Sequence, residues 1–425
     1  MNIEDAISYL ESFTWSASRI GLDREKQLLE LLGSPQKKLK FVHVAGTNGK
    51  GSTCAMLSSV LQCAGYKTGL FTSPHLHRYN ERIKINGTDI SDERLAALVE
   101  RIRPLADGMD EHPSFFELST AIAFEYCFEE NCDIVVLEVG MGGEFDSTNV
   151  IDAPECAVIS NIGLEHTEYL GNTLEEIAAA KAGIIKRGCP VVCYRSGEEA
   201  ERVFADKARA LGAPLILPDN SSLTCLSSSL SGQIFRYKDS GIFPLPLLGA
   251  HQVRNAAVVL EVIKILREHD FQITDEDIKN GLTRVSWPVR FEVLRTEPPV
   301  IVDGAHNPQC AQALAETLEK FLPGRQSVFI LGMLSDKDRR SVLRFLCPYA
   351  ESFVCLTPPG SRALPAETLA RELTDMGEKA AWASDTLTAA ELALRTKKPV
   401  VACGSLYMAG EIKKALLTLI NINRK

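Results

Sequence analysis

The sequence predicts an α/β protein of two domains, each on a mainly parallel sheet, with a small antiparallel part in the first. Three observations lead there. Short apolar runs alternate with helix-like segments through most of the 425 residues, the rhythm of strands joined by crossover helices. The first clear run, Lys40 to Val44, feeds a glycine-rich turn, Gly46-Thr47-Asn48-Gly49-Lys50-Gly51-Ser52. The rhythm then stops around Ser286-Trp287-Pro288 and restarts after Arg290.

In chain order, strands are expected at 40–45, 68–72, 133–139, 156–161 and 190–194, with helical patterns between them. Segment 219–247 has Ser-rich turns and hairpin-like pieces and reads as an antiparallel excursion. Helical periodicity returns over His251 to His269 and Asp275 to Arg284. The second alternation runs strand 299–303, helix 308–321, strand 327–332, helix 336–346, strand 352–356, helices 366–376 and 387–396, and strand 399–403. The domains are therefore 1–285 and 297–425, with 286–296 as linker, and a ligand site shared by both is the expectation.

Composition excludes several classes. The net charge of −9 argues against a nonspecific nucleic-acid binder, which needs a basic face to displace counterions. The acidic start Met1-Asn2-Ile3-Glu4-Asp5 is unlike a signal peptide, and no apolar run approaches the roughly 18 residues of a membrane span. A cytoplasmic monomer is expected. The twelve cysteines are scattered, with no CxxC pair, and Cys54, Cys127, Cys355 and Cys403 fall in expected strands or helices; they read as reduced core residues.

The chemistry starts at the glycine turn. Its glycines let backbone N–H groups approach an anion, Lys50 adds a point charge, and Ser52 can reach a Mg²⁺. Its spacing differs from the common P-loop, since Gly51 separates Lys50 from Ser52. Glu138 ends the apolar run Asp133 to Val139 and precedes Gly140-Met141-Gly142-Gly143; the carboxyl edge of a parallel sheet is where ligands bind. The next strand ends in Ser160-Asn161, followed by Glu165-His166, and His166 is either a metal or phosphate contact or a structural loop residue. Ser73, at another strand end, can present its hydroxyl to a second Mg²⁺. Arg78 and Arg82 suit a carboxylate-bearing substrate, bidentately if geometry allows, or are surface residues. Lys181 lies late in an alanine-rich stretch, where a solvated helix lysine is the plain alternative.

The wording His43-Val44-Ala45-Gly46-Thr47-Asn48-Gly49-Lys50-Gly51-Ser52 resembles the Mur ligase superfamily, in its folylpolyglutamate synthase and dihydrofolate synthase branch. Further matching segments are Thr72-Ser73-Pro74-His75-Leu76, Asn80-Glu81-Arg82-Ile83, Glu138 to Asn149, Asp303-Gly304-Ala305-His306-Asn307-Pro308 and Gly404-Ser405-Leu406-Tyr407. They span nearly the whole chain in order. The resemblance implies a P-loop-like ATPase domain and a Rossmann-like C-terminal domain. It implies ATP-dependent ligation of L-glutamate to folate, and to dihydropteroate in bifunctional members, through an acyl phosphate, with Mg²⁺ required.

Carried over by position, Asn48, Gly49, Lys50, Gly51, Ser52, Asn255, Arg290 and Asp303 would hold ATP, and Ser52, Ser73, Glu138 and His166 would hold Mg²⁺. Lys50, His166 and Lys181 would be catalytic, Lys181 as a carbamate formed with CO₂. Arg82, Phe116, Asp146, His306 and Ser405 would contact the other substrates. The chain departs from the family pattern at Arg19, where bifunctional members carry Asp, at Glu165 (usually Asp), at Ala180 (often Glu) and at Val289 (usually Gly). Residues 1–40 leave little room for the extra UDP-sugar domain of a peptidoglycan Mur ligase. The competing readings are another Mur-type amino-acid ligase and a nucleotide-binding regulator that ligates nothing.

Overall fold

The computed structural model describes residues 1–13 and 21–422; Arg19 lies outside them. The described residues divide into two compact units. The first comprises residues 1–224, 236–243 and 254–285, and the second comprises 225–235, 244–253 and 286–425.

The first unit is built on an eight-stranded sheet. Its strands are β1 (Phe41–Ala45), β2 (Thr68–Phe71), β3 (Ile83–Ile85), β4 (Thr88–Asp89), β5 (Ile134–Glu138), β6 (Cys156–Ile159), β7 (Val191–Cys193) and β8 (Leu215–Ile216), in the order β4-β3-β2-β5-β1-β6-β7-β8. Pairings among β2, β5, β1, β6, β7 and β8 are parallel, while β2–β3 and β3–β4 are antiparallel. Every residue of β1 and β5 is buried, which is why both read as unbroken apolar runs rather than as alternating strands. The helix Lys50–Cys63 after β1 buries ten of its residues, as expected of a helix enclosed on most sides. One neighbour is the helix Asp275–Arg284, where Gly281 lets the backbones meet: a Cβ there would lie 2.4 Å from Val60 Cα.

The excursion at 219–247 forms a three-stranded sheet of β9 (Leu223–Ser229), β10 (Gly232–Tyr237) and β11 (Ile242–Leu245), in the order β11-β10-β9. Connections this short permit only antiparallel neighbours.

The second unit carries β12 (Glu292–Thr296), β13 (Pro299–Val302), β14 (Ser327–Leu331), β15 (Ala350–Cys355), β16 (Ala380–Trp382) and β17 (Val400–Cys403), in the order β12-β13-β17-β14-β15-β16. Only β12 runs antiparallel to its neighbour. The stretch expected as a linker therefore contains an edge strand. Val289 and Phe291, just before it, have φ of 54° and 46°. A β-branched residue in the left-handed region is strained by about 1–2 kcal/mol, and the Val289 side chain is buried. Of the cysteines, Cys54, Cys127, Cys355 and Cys403 are buried as expected, whereas Cys225 is exposed, a correction to the reading of all twelve as core.

One core residue works against the fold. In the helix Asp23–Leu31, which packs on the helix Phe115–Glu129, Glu25 is fully buried and neither carboxylate oxygen has a partner. Burial, then the neighbouring Glu117 and Asp146, push its carboxyl well above the ordinary 4.5. Glu25→Leu is expected to stabilise the protein at pH 7 by about 1–3 kcal/mol, the cost of an unsatisfied buried polar group, read as a higher urea midpoint. A carboxyl raised in the folded state contributes its full stability below the unfolded value and loses it as pH rises. The advantage of leucine should therefore grow from pH 4.5 toward neutrality; a lower midpoint for Glu25→Leu at pH 7 would contradict this.

Candidate active site

Four adjacent strands of the first unit, β2, β5, β1 and β6, deliver polar residues to one sheet edge: Ser73, Glu138, the loop 46–50 and Ser160-Asn161. The loop after β1 is pinned from β6, as Thr47 and Asn48 N–H both donate to Asn161 O (2.8 and 3.2 Å). Thr47 Oγ1 also reaches Gly163 O at 3.1 Å. Gly49 caps the following helix with φ 88°, and a Cβ there would come within 3.0 Å of Asn255 Oδ1. Asn255 thus backs the loop from the helix Ala250–Glu268.

Lys50 curls over its own loop, donating to Gly46 O (3.1 Å) and Thr47 O (3.3 Å). Lys181 reaches the same Gly46 carbonyl at 2.9 Å. It is 3 % exposed, so it is not a solvated helix lysine. Burial, followed by the charge of Lys50, lowers its pKa to about 7, with Glu165 and Asp146 opposing. Ser52 is buried in the first turn of the helix. Glu138 is buried and accepts from Ser73 N–H at 3.1 Å. His166, by contrast, is exposed, with φ 54° at the start of the short helix Thr167–Leu170.

The glycines after Glu138 let the chain pass between neighbours. A Cβ at Gly140 would lie 2.5 Å from Phe116 Cζ, and one at Gly143 would lie 2.8 and 2.9 Å from the Lys181 and Ala180 carbonyls. Asp146 is buried; its Oδ2 accepts from Met141 N–H at 2.9 Å and its Oδ1 from Thr148 N–H and Oγ1–H at 3.1 and 2.5 Å. It closes the turn as a carboxylate cap. Arg82 is buried, with its Nε donating to His75 Nδ1 at 2.9 Å and its guanidinium over the Phe115 ring. Arg78 is exposed and pairs with Asp92.

In the second unit, Asp303 follows β13, and its carboxylate accepts from Phe291 N–H (2.6 Å) and Ala305 N–H (2.7 Å). Burial raises its carboxyl while the adjacent Arg290 pulls it down. His306 Nδ1 meets Gly304 O at 2.8 Å. Ser405, following β17, is buried and its Oγ has no hydrogen-bond partner. Asp303, His306 and Ser405 all follow adjacent parallel strands at their carboxyl ends.

Family models match both units. Residues 44–263 match the Mur ligase middle domain, and residues 289–406 match the Mur ligase glutamate ligase domain. The chain is 38% identical to the dihydrofolate synthase/folylpolyglutamate synthase of Bacillus subtilis, over 97% of this chain and 99% of that one. This chain belongs to the Mur ligase family, in its folylpolyglutamate synthase and dihydrofolate synthase branch. Solved structures of the branch superpose on it throughout. The Mycobacterium tuberculosis folylpolyglutamate synthase complexed with ADP gives a TM-score of 0.89 at 31% identity, covering 97% of this chain and 98% of its own. Escherichia coli FolC in complex with DHPP and ADP gives 0.85 at 30%, covering 100% and 99%. The protein is accordingly an ATP-dependent, ADP-forming ligase of the Mur type. Among its described residues no helix is long and apolar enough to cross a membrane.

Sequence reasoning named most of these side chains and quoted His43 among the residues that carry the resemblance, but it gives no sign of the contact that His43 makes. It lies in the middle of β1 as an apparently ordinary strand residue, yet its ring is buried and bonded to Thr148, 105 positions away.

Proposed function

We propose that this Mur ligase joins L-glutamate to the carboxylate of a folate-type acid in the cytoplasm, transferring the γ-phosphoryl of ATP to that carboxylate and then displacing phosphate with the glutamate amine. The observation that carries the reading is the convergence on one sheet edge of a glycine loop, two lysines on one carbonyl, and a buried carboxylate beside a serine. The two anions that must meet, carboxylate and γ-phosphate, repel each other. Lys50 needs only to leave the Gly46 and Thr47 carbonyls to place its charge against phosphate, while the Thr47 and Asn48 N–H groups, spent on Asn161 O, hold the loop in place.

Mg²⁺ fits the donor set. Among the described residues there is no group of three His, Cys, Asp or Glu side chains suited to a metal, so a cation here would rest on few protein ligands. Mg²⁺ commonly binds through one or two carboxylates plus substrate phosphates and waters, and Glu138, Ser52 and Ser73 would supply that kind of oxygen set, with His166 joining them. When bound, the ion would neutralise charge developing on the phosphates. Glu138→Gln is expected to raise the Mg²⁺ concentration for half-maximal rate at least about tenfold; an unchanged requirement in a magnesium titration would remove Glu138 from the set.

Phe116, beside Gly140, would meet the ring system of the acid, while Arg82 would add a cation and Asp146 shapes the intervening turn. Asn255, Arg290 and Asp303 would hold the nucleotide, and His306 and Ser405 the incoming amino acid. The B. subtilis relative carries both synthase names, which supports action on dihydropteroate as well as on reduced folate despite Arg19. Purified protein incubated with ATP, Mg²⁺ and L-glutamate, with each acid separately, tests this by product mass. A glutamyl adduct on both acids is expected. An adduct on reduced folate alone would restrict the enzyme to polyglutamate synthesis, and none on either would overturn the folate reading.

A further inference from the structure

Beneath the glycine turn runs a buried chain of hydrogen bonds that begins on the strand feeding the phosphate loop. His43, fully buried in β1, approaches Thr148 Oγ1 through Nε2 at 2.8 Å. Thr148 Oγ1 donates its one proton to Asp146 Oδ1, so it must accept from the imidazole, and the ring proton therefore resides on Nε2. Nδ1 has no partner. Burial, then the charge of Lys186, lowers the His43 pKa to about 3, which keeps the ring neutral with that single proton. At the far end Asp146 Oδ2 takes Met141 N–H, inside the Gly140–Gly143 segment. That segment packs on Phe116 at one end and on the Lys181 helix at the other.

We infer that His43 is a positioning residue: through Thr148 and Asp146 it fixes the Gly140–Gly143 turn and, with it, the Phe116 face that receives the acid substrate. The inference rests on the reading of Phe116 given above. Without the Nε2–H donor, Thr148 Oγ1 loses a partner and can rotate away from Asp146, which then keeps its backbone bonds to Thr148 and Met141; the turn loosens while the phosphate loop, which is held from Asn161, stays in place. Glutamine can restore the link, because its side-chain N–H₂ can occupy nearly the position of the imidazole Nε2–H; leucine cannot.

The test measures KM for the folate-type acid, KM for ATP and kcat in His43→Leu, His43→Gln, Thr148→Val and Phe116→Leu. Loss of one hydrogen bond within the chain predicts about a tenfold rise in acid KM for His43→Leu, with ATP KM and kcat within about twofold and His43→Gln close to the parent protein. A purely structural role would instead lower kcat through a smaller active fraction and leave both KM values alone. That result, or glutamine behaving no better than leucine, overturns the inference. If His43→Leu does not fold, Thr148→Val must show the same rise in acid KM, and its absence is equally decisive. A raised acid KM in Phe116→Leu but not in His43→Leu overturns this inference alone. An unchanged acid KM in Phe116→Leu overturns the Phe116 reading and the inference with it. Independently, ¹⁵N-histidine spectra should show the His43 proton on Nε2; a proton on Nδ1 would break the chain at its first link.

Discussion

Activity should fall about 10²- to 10³-fold in Lys181→Ala, and Lys181→Arg should not restore it. The argument starts from burial. An ammonium enclosed this far, with Lys50 sharing its carbonyl acceptor, is costly, and its pKa of about 7 leaves much of the side chain as free amine at neutral pH. A free amine can add CO₂, its nitrogen bonding to the carbon and one N–H proton passing to solvent, to leave an anionic carbamate, and the family resemblance implies this modification at Lys181. Arginine stays charged and cannot follow. Rate should therefore decline as pH falls below about 7, decline further in CO₂-free buffer, and recover on adding bicarbonate. Intact-protein mass at mildly alkaline pH should show the CO₂ adduct, absent in Lys181→Ala. If Lys181→Arg keeps the parent rate, or bicarbonate has no effect, the carbamate reading fails. Linkage adds a stability signature: a lysine whose folded pKa is depressed burdens the fold below about 7 and is relieved as pH rises toward the ordinary 10.5.

Gly46→Ala should destabilise the first unit by about 2–4 kcal/mol, the combined cost of a strained backbone and an overpacked interior. Gly46 has φ 147°, and a Cβ built on it would sit 1.9 Å from Ser160 Oγ and 3.1 Å from Ser160 N. The hydroxyl is not a yielding neighbour, since it donates to Ala45 O at 3.1 Å in the buried edge between β1 and β6. Pairing Gly46→Ala with Ser160→Gly removes the nearest clash and should recover part of the loss, leaving the strain. Urea unfolding of both variants gives the two contributions separately. A single variant as stable as the parent would mean that the loop is held more loosely than these contacts require.

How much of this was legible in the sequence depended on how local the cause was. β1 and β5 were readable because burial on both faces demands unbroken apolar runs, and the phosphate loop because its backbone geometry demands glycine at fixed places. β12 and β16 were missed: both are edge strands, and the residues of β12 are only partly buried or exposed. The helices Ile3–Glu11 and Asp23–Leu31 carry too many charges to stand out as core elements. Lys181 could be singled out only by resemblance, since nothing in an alanine-rich helix tells which lysine the tertiary fold will bury. The His43 link was invisible for the same reason, as its partner is brought to it only by the sheet.

One carbonyl serving two lysine side chains also sets an order of events. A nucleotide that draws Lys50 onto its phosphates takes away the like charge that helps hold Lys181 in its amine form, and brings anions nearby that favour the ammonium. Both changes raise the proton affinity of Lys181. On the carbamate reading, uptake of CO₂ would be easiest before ATP arrives, and an enzyme primed with bicarbonate first should reach its full rate sooner than one that meets ATP first.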